Sequence, residues 1–284
     1  MIQVENLVFQ YPGNDGPTLK GLDFSIAKGE IFGFLGPSGA GKSTAQKVLY
    51  KILEGYKGQV NIDGKNLSEW NNSYFERIGV GFELPNHYLK LTGKENLELF
   101  AAFYPNGKKH NSTELFEMVD LADAMDKPVE TYSKGMKMRL NFIRAIQHDP
   151  DILFFDEPTS GLDPVNAHKI KQHILDLKNH GKTIFVTTHS METADGICDR
   201  VSFIVDGKLV LTDTPRNLKS RYGKEAVKVD LKNGQSEEFP LKDLGVNPQF
   251  LEFLKQDEVK RIHTLEATLE EVFIRVTGKS LGDE

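Results

Sequence analysis

Gly36, Pro37, Ser38, Gly39, Ala40, Gly41, Lys42, Ser43 and Thr44 read GPSGAGKST, directly after the apolar run IFGFL and directly before AQKVLYKIL, which has helical spacing. Glycines at these positions let backbone amides wrap an anion, and a helix start adds a field that favours negative charge. The Lys42 ammonium would reach the β- and γ-phosphates of a nucleotide, and the Ser43 hydroxyl would bind Mg2+. The plain alternative is a glycine-rich turn. The strand before the loop and the helix after it are the context that a phosphate cradle of the form GxxxxGK[ST] requires.

A second candidate is ILFFDE, in which Asp156 and Glu157 end a strand-like apolar run. One acid can hold Mg2+ through water, while the next can orient or deprotonate a water for attack on a γ-phosphate. Adjacent acids at a strand end are common on any surface. A phosphate loop about a hundred residues upstream turns the balance toward catalysis. A third is YSKGMKMR, Tyr132 to Arg139, where a hydroxyl, a lysine and a glycine stand before the helical-looking LNFIRAIQ; on its own, Ser133 is an N-cap.

These residues need elements to position them. The first 35 residues alternate like strands: IQVENLVFQY, the loop PGNDGP, TLKGLDFSI, a turn at AKGE, then IFGFL. The helix after Thr44 is expected to run to Gly55, with GQVNIDG as a short strand and turn. LTGKENLELFAAFY carries a capping box, Thr92 with Glu95, and apolar positions Leu99, Phe100 and Phe103; a helical region is expected from there to Gln147. DILFFDE is then a strand, PVNAHKIKQHILDLKNHG a helix opened by Pro164 and ended by Gly181, and KTIFVTTH a buried strand. Alternating strand and helix implies a parallel sheet.

Composition changes after Tyr222. VKVDLKNGQSEEFPL reads as a hairpin around Asn233-Gly234, NPQFLEFLKQ as a helix capped by Asn247 with Pro248 at its first position, and VKRIHTLE as a strand. A last helix begins at Thr268, boxed by Glu271, and ends near Gly278, with Leu269, Val272, Phe273 and Val276 on one face. The expected organisation is an α/β domain over 1–222, with a helical subdomain at about 84–147, and a small α+β appendage over 223–284.

With 284 residues, 39% hydrophobic and 27% charged, the chain suits one soluble domain of generous size, or one domain plus a small appendage. No apolar run approaches the ~20 residues of a bilayer-spanning helix, and MIQVENLVFQYPG lacks the plan of a signal peptide, so a cytoplasmic chain is expected. The single cysteine, Cys198, excludes an internal disulfide framework and fits a reducing compartment. A formal charge of -6 and a pI near 5.8 argue against a protein whose main task is to grip nucleic acid. His168 and His173, the closest of the eight histidines, are spaced wrongly to share a helix face as a metal pair.

The order GPSGAGKST, YSKGMK, ILFFDEPTSGLD and a histidine after TIFVTTH's strand resembles the nucleotide-binding domain of ABC-type ATPases over about residues 1 to 222. The resemblance implies a P-loop NTPase core with a mixed sheet, an N-terminal antiparallel β subdomain and a helical subdomain. It also implies ATP and Mg2+ as cofactors and two ATP-binding domains meeting head to tail, a homodimer being expected. Tyr11 matches the aromatic residue on which adenine stacks, Asp156 the metal-holding acid, Glu157 the base, and His189 the histidine that contacts the γ-phosphate. Ser133 and the Gly135 backbone would face the γ-phosphate bound by the partner subunit. SGLD, Ser160 to Asp163, matches the loop between subunits, and Asp163 also reads as a helix cap. Three positions depart from the family pattern: Lys134 stands for a glycine, Met136 for a glutamine, and Glu83, in IGVGFELP, for the glutamine that approaches Mg2+ and the attacking water. A carboxylate at 83 still suits Mg2+ but adds negative charge beside the phosphates.

One nucleotide domain, no long coiled-coil insertion and no basic tail favour a transport motor over machines acting on ribosomes or DNA. TLEEVFIRVTGK also resembles the tail of ATPase subunits in drug-, antibiotic- or polysaccharide-exporting systems whose membrane domain is a separate protein. The expectation is therefore a Mg-dependent ATPase on the inner face of the cell membrane, powering a separate integral permease that exports a drug, antibiotic, lipid or polysaccharide. A regulatory ATP-dependent dimer that switches a partner without transport is the alternative. By the same resemblance, Leu84, Tyr88 and Leu89 lie near the place where the family receives a short helix from its membrane partner; packing of the helical subdomain is the other reading of these residues.

Overall fold

The structure, a computed structural model, describes residues 1–104 and 110–278. Two compact units emerge, one over Met1–Asp213 and one from Thr214 onward. The first unit opens with β1 (Ile2–Phe9) and β2 (Leu19–Ile26), antiparallel to each other, and continues through β3 (Ile31–Leu35), α1 (Lys42–Leu49), β4 (Lys57–Ile62) and β5 (Lys65–Asn66). Strand β4 pairs with the other side of β1, which completes an antiparallel sheet of order β2-β1-β4-β5. Along β2, Leu19, Leu22, Phe24 and Ile26 are buried and their neighbours face outward, the signature of a sheet with one covered face.

Next come α2 (Ser73–Arg77), β6 (Ile78–Gly81), α3 (Gly93–Ala101), α4 (Ser112–Met118), α5 (Lys134–Ile146), β7 (Ile152–Asp156), α6 (Pro164–Asn179), β8 (Thr183–Thr188), α7 (Met191–Ile197), β9 (Arg200–Val205) and β10 (Lys208–Asp213). A six-stranded sheet of order β10-β9-β3-β8-β7-β6 results, parallel except for β10. Every residue of β3, β7 and β8 is buried, which is why their central positions are apolar on both faces of the sheet. The two sheets share one core through Phe24, Phe32, Phe34 and Phe185, with Phe34 and Phe185 edge to face at 4.8 Å.

In the second unit, α8 (Pro215–Tyr222) precedes β11 (Ala226–Leu231), β12 (Ser236–Pro240), α9 (Pro248–Phe253), β13 (Val259–Thr264) and α10 (Leu269–Thr277). The sheet order is β12-β11-β13, over a small core of Val227, Val229, Leu231, Phe239 and Phe253. Its hairpin turns at Asn233-Gly234, where Gly234 takes a φ of +92°. Because α8 packs on α10, the division falls after Asp213 rather than after Tyr222.

One local expectation changes. The helix after the glycine loop stops at Leu49, not Gly55, because Lys51 turns to a φ of +60° and its ammonium donates to the Trp70 carbonyl at 2.5 Å. The region from Leu91 to Gln147 is three helices, with 105–109 outside the described residues. On α3 the buried face is Gly93, Asn96 and Leu97, while Phe103 is 66% exposed. Asn96 is drawn inward because its amide donates to the Tyr88 and Thr92 carbonyls and its oxygen accepts from the Tyr88 amide. The box of Thr92 and Glu95 and that of Thr268 and Glu271 both form.

Candidate active site

Sheet register brings the first candidates together. Leu35 is level with Thr188 across β3 and β8, and Asp156 is level with Thr187 across β7 and β8. The loop from Gly36, the acids Asp156 and Glu157, and His189 therefore leave the carboxyl ends of three adjacent parallel strands, where α/β sheets hold their ligands.

The loop's shape depends on its glycines. Gly39 and Gly41 hold φ of +75° and +107°, and a Cβ on Gly36 would lie 2.2 Å from the Ile204 carbonyl oxygen. Ala40 donates to the Pro37 carbonyl at 3.3 Å and accepts from the Gly207 amide at 3.1 Å. Ser38 and Gly39 are exposed, Ser43 is half-buried and Thr44 is buried. The Lys42 ammonium donates to the Gly36 and Pro37 carbonyls at 2.7 and 2.9 Å. Burial lowers the Lys42 pKa, and the nearby carboxylates of Glu157, Asp156 and Glu83 oppose that effect. Tyr11 is half-buried, its hydroxyl 3.3 Å from Thr44 Oγ1 and its ring edge-to-face with Phe9 at 4.9 Å.

Both acids are buried and held. Thr187 Oγ1 donates to Asp156 Oδ1. Glu157 Oε2 accepts from Thr188 Oγ1 at 2.9 Å, and Oε1 accepts from the His189 amide at 2.8 Å and from His189 Nδ1 at 2.7 Å. Nδ1 therefore carries the hydrogen that faces the carboxylate, and the imidazole is otherwise exposed. Glu157 also adopts a φ of +50°, a conformation that costs a residue other than glycine of order 1–3 kcal/mol and that collects at functional sites. Its amide donates to the Thr187 carbonyl at 2.9 Å and its carbonyl accepts from Ser160 at 3.0 Å, so the strained turn is fixed on both sides. Thr187 and Thr188 escaped the sequence reading, although the TT before His189 was a signal. So did Gln46, whose amide donates to the carbonyls of Phe155 at 3.1 Å and Phe185 at 3.3 Å and so braces β7 against β8.

Ser133, Gly135 and Asp163 form a second group. Ser133 caps α5, accepting from the Met136 amide at 3.2 Å. A Cβ on Gly135 would lie 3.6 Å from Leu162 Cδ2, and one on Gly161 would lie 2.7 Å from Lys134 Cε, so the start of α5 rests against the SGLD loop. Asp163 caps α6; the Asn166 side chain, with backbone amides of that first turn, holds its carboxyl below the usual range. Glu83 is exposed and within electrostatic range of Lys42.

The donor set suits Mg2+. A hydroxyl on Ser43 and carboxylates on Asp156 and Glu83 are hard oxygen donors, and Mg2+ takes one or two such groups together with phosphate and water rather than a full protein cage. Among the described residues no cluster of three or more acids, histidines or cysteines could hold a metal alone.

A glycine-rich phosphate cradle at the centre of a parallel sheet, with a held acid pair on the strand beside it, defines a P-loop ATPase. Residues 19–160 match the ABC transporter family, and residues 225–266 match the fluoroquinolone efflux ABC transporter C-terminal domain. The chain is 49% identical over 285 aligned positions, 99% of its length and 94% of the relative's, to a fluoroquinolones export ATP-binding protein of Mycobacterium tuberculosis. It is 34% identical to the linearmycin resistance ATP-binding protein of Bacillus subtilis, across 80% of this chain and 73% of that one. A dimeric bacterial ABC transporter cassette superposes with a TM-score of 0.69 at 27% identity, covering 75% of this chain and 98% of the cassette. A post-hydrolysis cassette bound to ADP and Pi gives 0.68 at 27% identity, with the same coverage. The chain belongs to the ABC transporter family as an ATP-binding protein; it binds nucleotide and hydrolyses ATP to drive transport.

Proposed function

We propose that this protein is the ATPase of a drug exporter whose cargo is of the fluoroquinolone class, that it works as a homodimer, and that it sits on the inner face of the cell membrane beneath a separate permease. The observation that carries the cargo reading is the appendage. The nucleotide domain is shared by many transport ATPases, whereas the match over 225–266 is to a C-terminal domain described for fluoroquinolone efflux. The likeness to a dimeric cassette supports the dimer.

In the site, the backbone amides of Ser38 to Thr44 and the Lys42 ammonium hold the phosphates, and Tyr11 stacks on adenine. Ser43, Asp156 and Glu83 hold Mg2+, which supplies charge neutralisation at the phosphates. Glu157 takes the proton of the attacking water, and His189, on the same carboxylate, meets the γ-phosphate. Ser133, Gly135 and Asp163 complete the site of the partner subunit. Because Glu83 is exposed and Gln keeps an oxygen donor in the same place, Glu83→Gln is expected to leave ATPase activity within about tenfold of the parent, a barrier change of ~1.4 kcal/mol. A far larger loss in a steady-state phosphate-release assay would give the carboxylate an essential role of its own.

The permease docks on the first unit. An apolar groove of about 500 Å³ is lined by Ile52, Phe75, Leu84, Phe100 and Arg144 among others, and Leu84 is 74% and Tyr88 55% exposed. A short amphipathic helix fits such a groove. The buried Asn96 holds both the amide and the carbonyl of Tyr88, so removing the Tyr88 ring leaves the backbone anchored. Tyr88→Ala is expected to shift the unfolding free energy by less than about 1 kcal/mol while reducing drug efflux and co-purification of a multi-spanning protein from native membranes. A severe fall in Tm would instead make Tyr88 a packing residue; a wild-type protein that brings down no membrane partner would overturn the transporter assignment.

A further inference from the structure

Glu83 is exposed, so its position depends on the backbone around it, and that backbone is fastened to one helix. Asn141 of α5, almost wholly buried, donates through Nδ2 to the Phe82 carbonyl at 2.8 Å. Arg144, one turn further on, donates through Nη1 to the Asn86 carbonyl at 2.8 Å and through Nη2 to Asn141 Oδ1 at 2.8 Å. A third tether runs from His87 Nε2 to the Lys137 carbonyl at 3.0 Å. The two carbonyls that bracket Glu83 are thus held by a single buried fork, directly at residue 86 and through the Asn141 amide at residue 82. By taking the Asn141 oxygen, the guanidinium also decides which way that amide faces.

The placement of Arg144 is difficult to explain as packing. Its side chain is buried, and no carboxylate among the described residues lies within ion-pair distance of it. Burying an uncompensated cation is expensive, and an apolar residue of similar volume would fill the space without that cost. Burial pushes the Arg144 pKa down only to about 10, so it stays charged at neutral pH. The acceptors at Asn86 and Asn141 and the faces of Phe100 and Phe82, 4.6 and 6.0 Å from the guanidinium carbon, are what support the charge. The planar fork reaches the two acceptors through separate nitrogens, Nη1 and Nη2, a fixed spacing that the single nitrogen of a lysine does not reproduce.

We propose that Arg144 is a positioning residue for Glu83: by fixing the segment from Phe82 to His87 to α5, it sets where the Glu83 carboxylate stands beside the nucleotide-bound metal. The inference rests on the reading of Glu83 as a metal-facing group. Arg144 touches no reacting atom; it acts through the backbone that carries Glu83.

The test uses the full-length protein loaded with ADP and titrated with Mn2+, the free ion being counted by electron paramagnetic resonance, together with Tm for each variant. Glu83→Ala should weaken Mn2+ binding. Arg144→Met should weaken it by about fivefold, and in the Glu83→Ala background the same substitution should add less than about twofold. Arg144→Lys, which keeps the charge and gives up the fork, carries the same test should the methionine variant fail to fold, with a smaller shift that again disappears without Glu83. Unchanged Mn2+ affinity in both Arg144 variants, or the same loss with and without Glu83, would overturn the positioning role. Unchanged affinity in Glu83→Ala alone would remove the metal-facing reading of Glu83 and the inference with it.

Discussion

Glu157→Gln is expected to lower ATP turnover by roughly a hundredfold or more, as loss of a general base does, and to trap an ATP-bound dimer. The geometry separates this catalytic effect from a structural one. Glu157 receives hydrogen bonds from the Thr188 hydroxyl, the His189 amide and His189 Nδ1. A glutamine can keep its oxygen toward the two His189 donors and turn its NH2 toward Thr188, whose hydroxyl rotates from donor to acceptor. The backbone turn with φ +50° is retained, because its tethers run through main-chain atoms of Thr187 and Ser160. Tm should therefore change little, while the capacity to accept a proton is lost. The measurement is single-turnover hydrolysis alongside gel filtration with and without ATP. Near-normal turnover would remove Glu157 from the role of base.

Lys42→Met is the second large effect. Lys42 is buried, its ammonium rests on the Gly36 and Pro37 carbonyls, and three carboxylates lie in its field. A phosphate entering the loop offers the ammonium stronger acceptors than the two neutral carbonyls, so the lysine is already stationed at the anion's place. Methionine matches the length and offers no donor. One hydrogen bond to a charged group is worth about 1.5–3 kcal/mol, so affinity for a fluorescent ATP analogue should fall by roughly 10- to 150-fold, with hydrolysis falling further. Losing the two carbonyl contacts should cost the nucleotide-free protein only about 1 kcal/mol each. An unchanged affinity would place the phosphates elsewhere than in this loop.

Both residues were visible in the sequence because their chemistry is written in short consecutive stretches. GPSGAGKST contains the glycines that shape the loop and the lysine that folds back on it, and the flanking strand and helix are adjacent in the chain. The helix caps were legible for the same reason: Thr92 with Glu95, Asp163, Asn247 and Thr268 with Glu271 act within a single turn. Where local pattern failed, a distant partner had intervened. The apolar positions after the box are Leu99, Phe100 and Phe103, yet the polar Asn96 is wholly buried, because a loop eight residues earlier needs its amide. Likewise nothing near Glu83 in the chain announces that Asn141 and Arg144, 59 and 58 residues away from their carbonyl partners, hold its segment.

By itself, then, the order of residues determined the phosphate cradle, the acid pair, the capping boxes and the alternation of strand and helix, since each depends on neighbours a few positions apart. Only the tertiary structure decided that Leu35 ends level with Thr188 and Asp156 with Thr187, that Thr187, Thr188 and His189 clamp the two acids, and that the Glu83 segment belongs mechanically to α5. Strand register and buried side-chain hydrogen bonds join residues that are far apart in the chain, and local periodicity carries no record of which distant partner will satisfy a buried polar group.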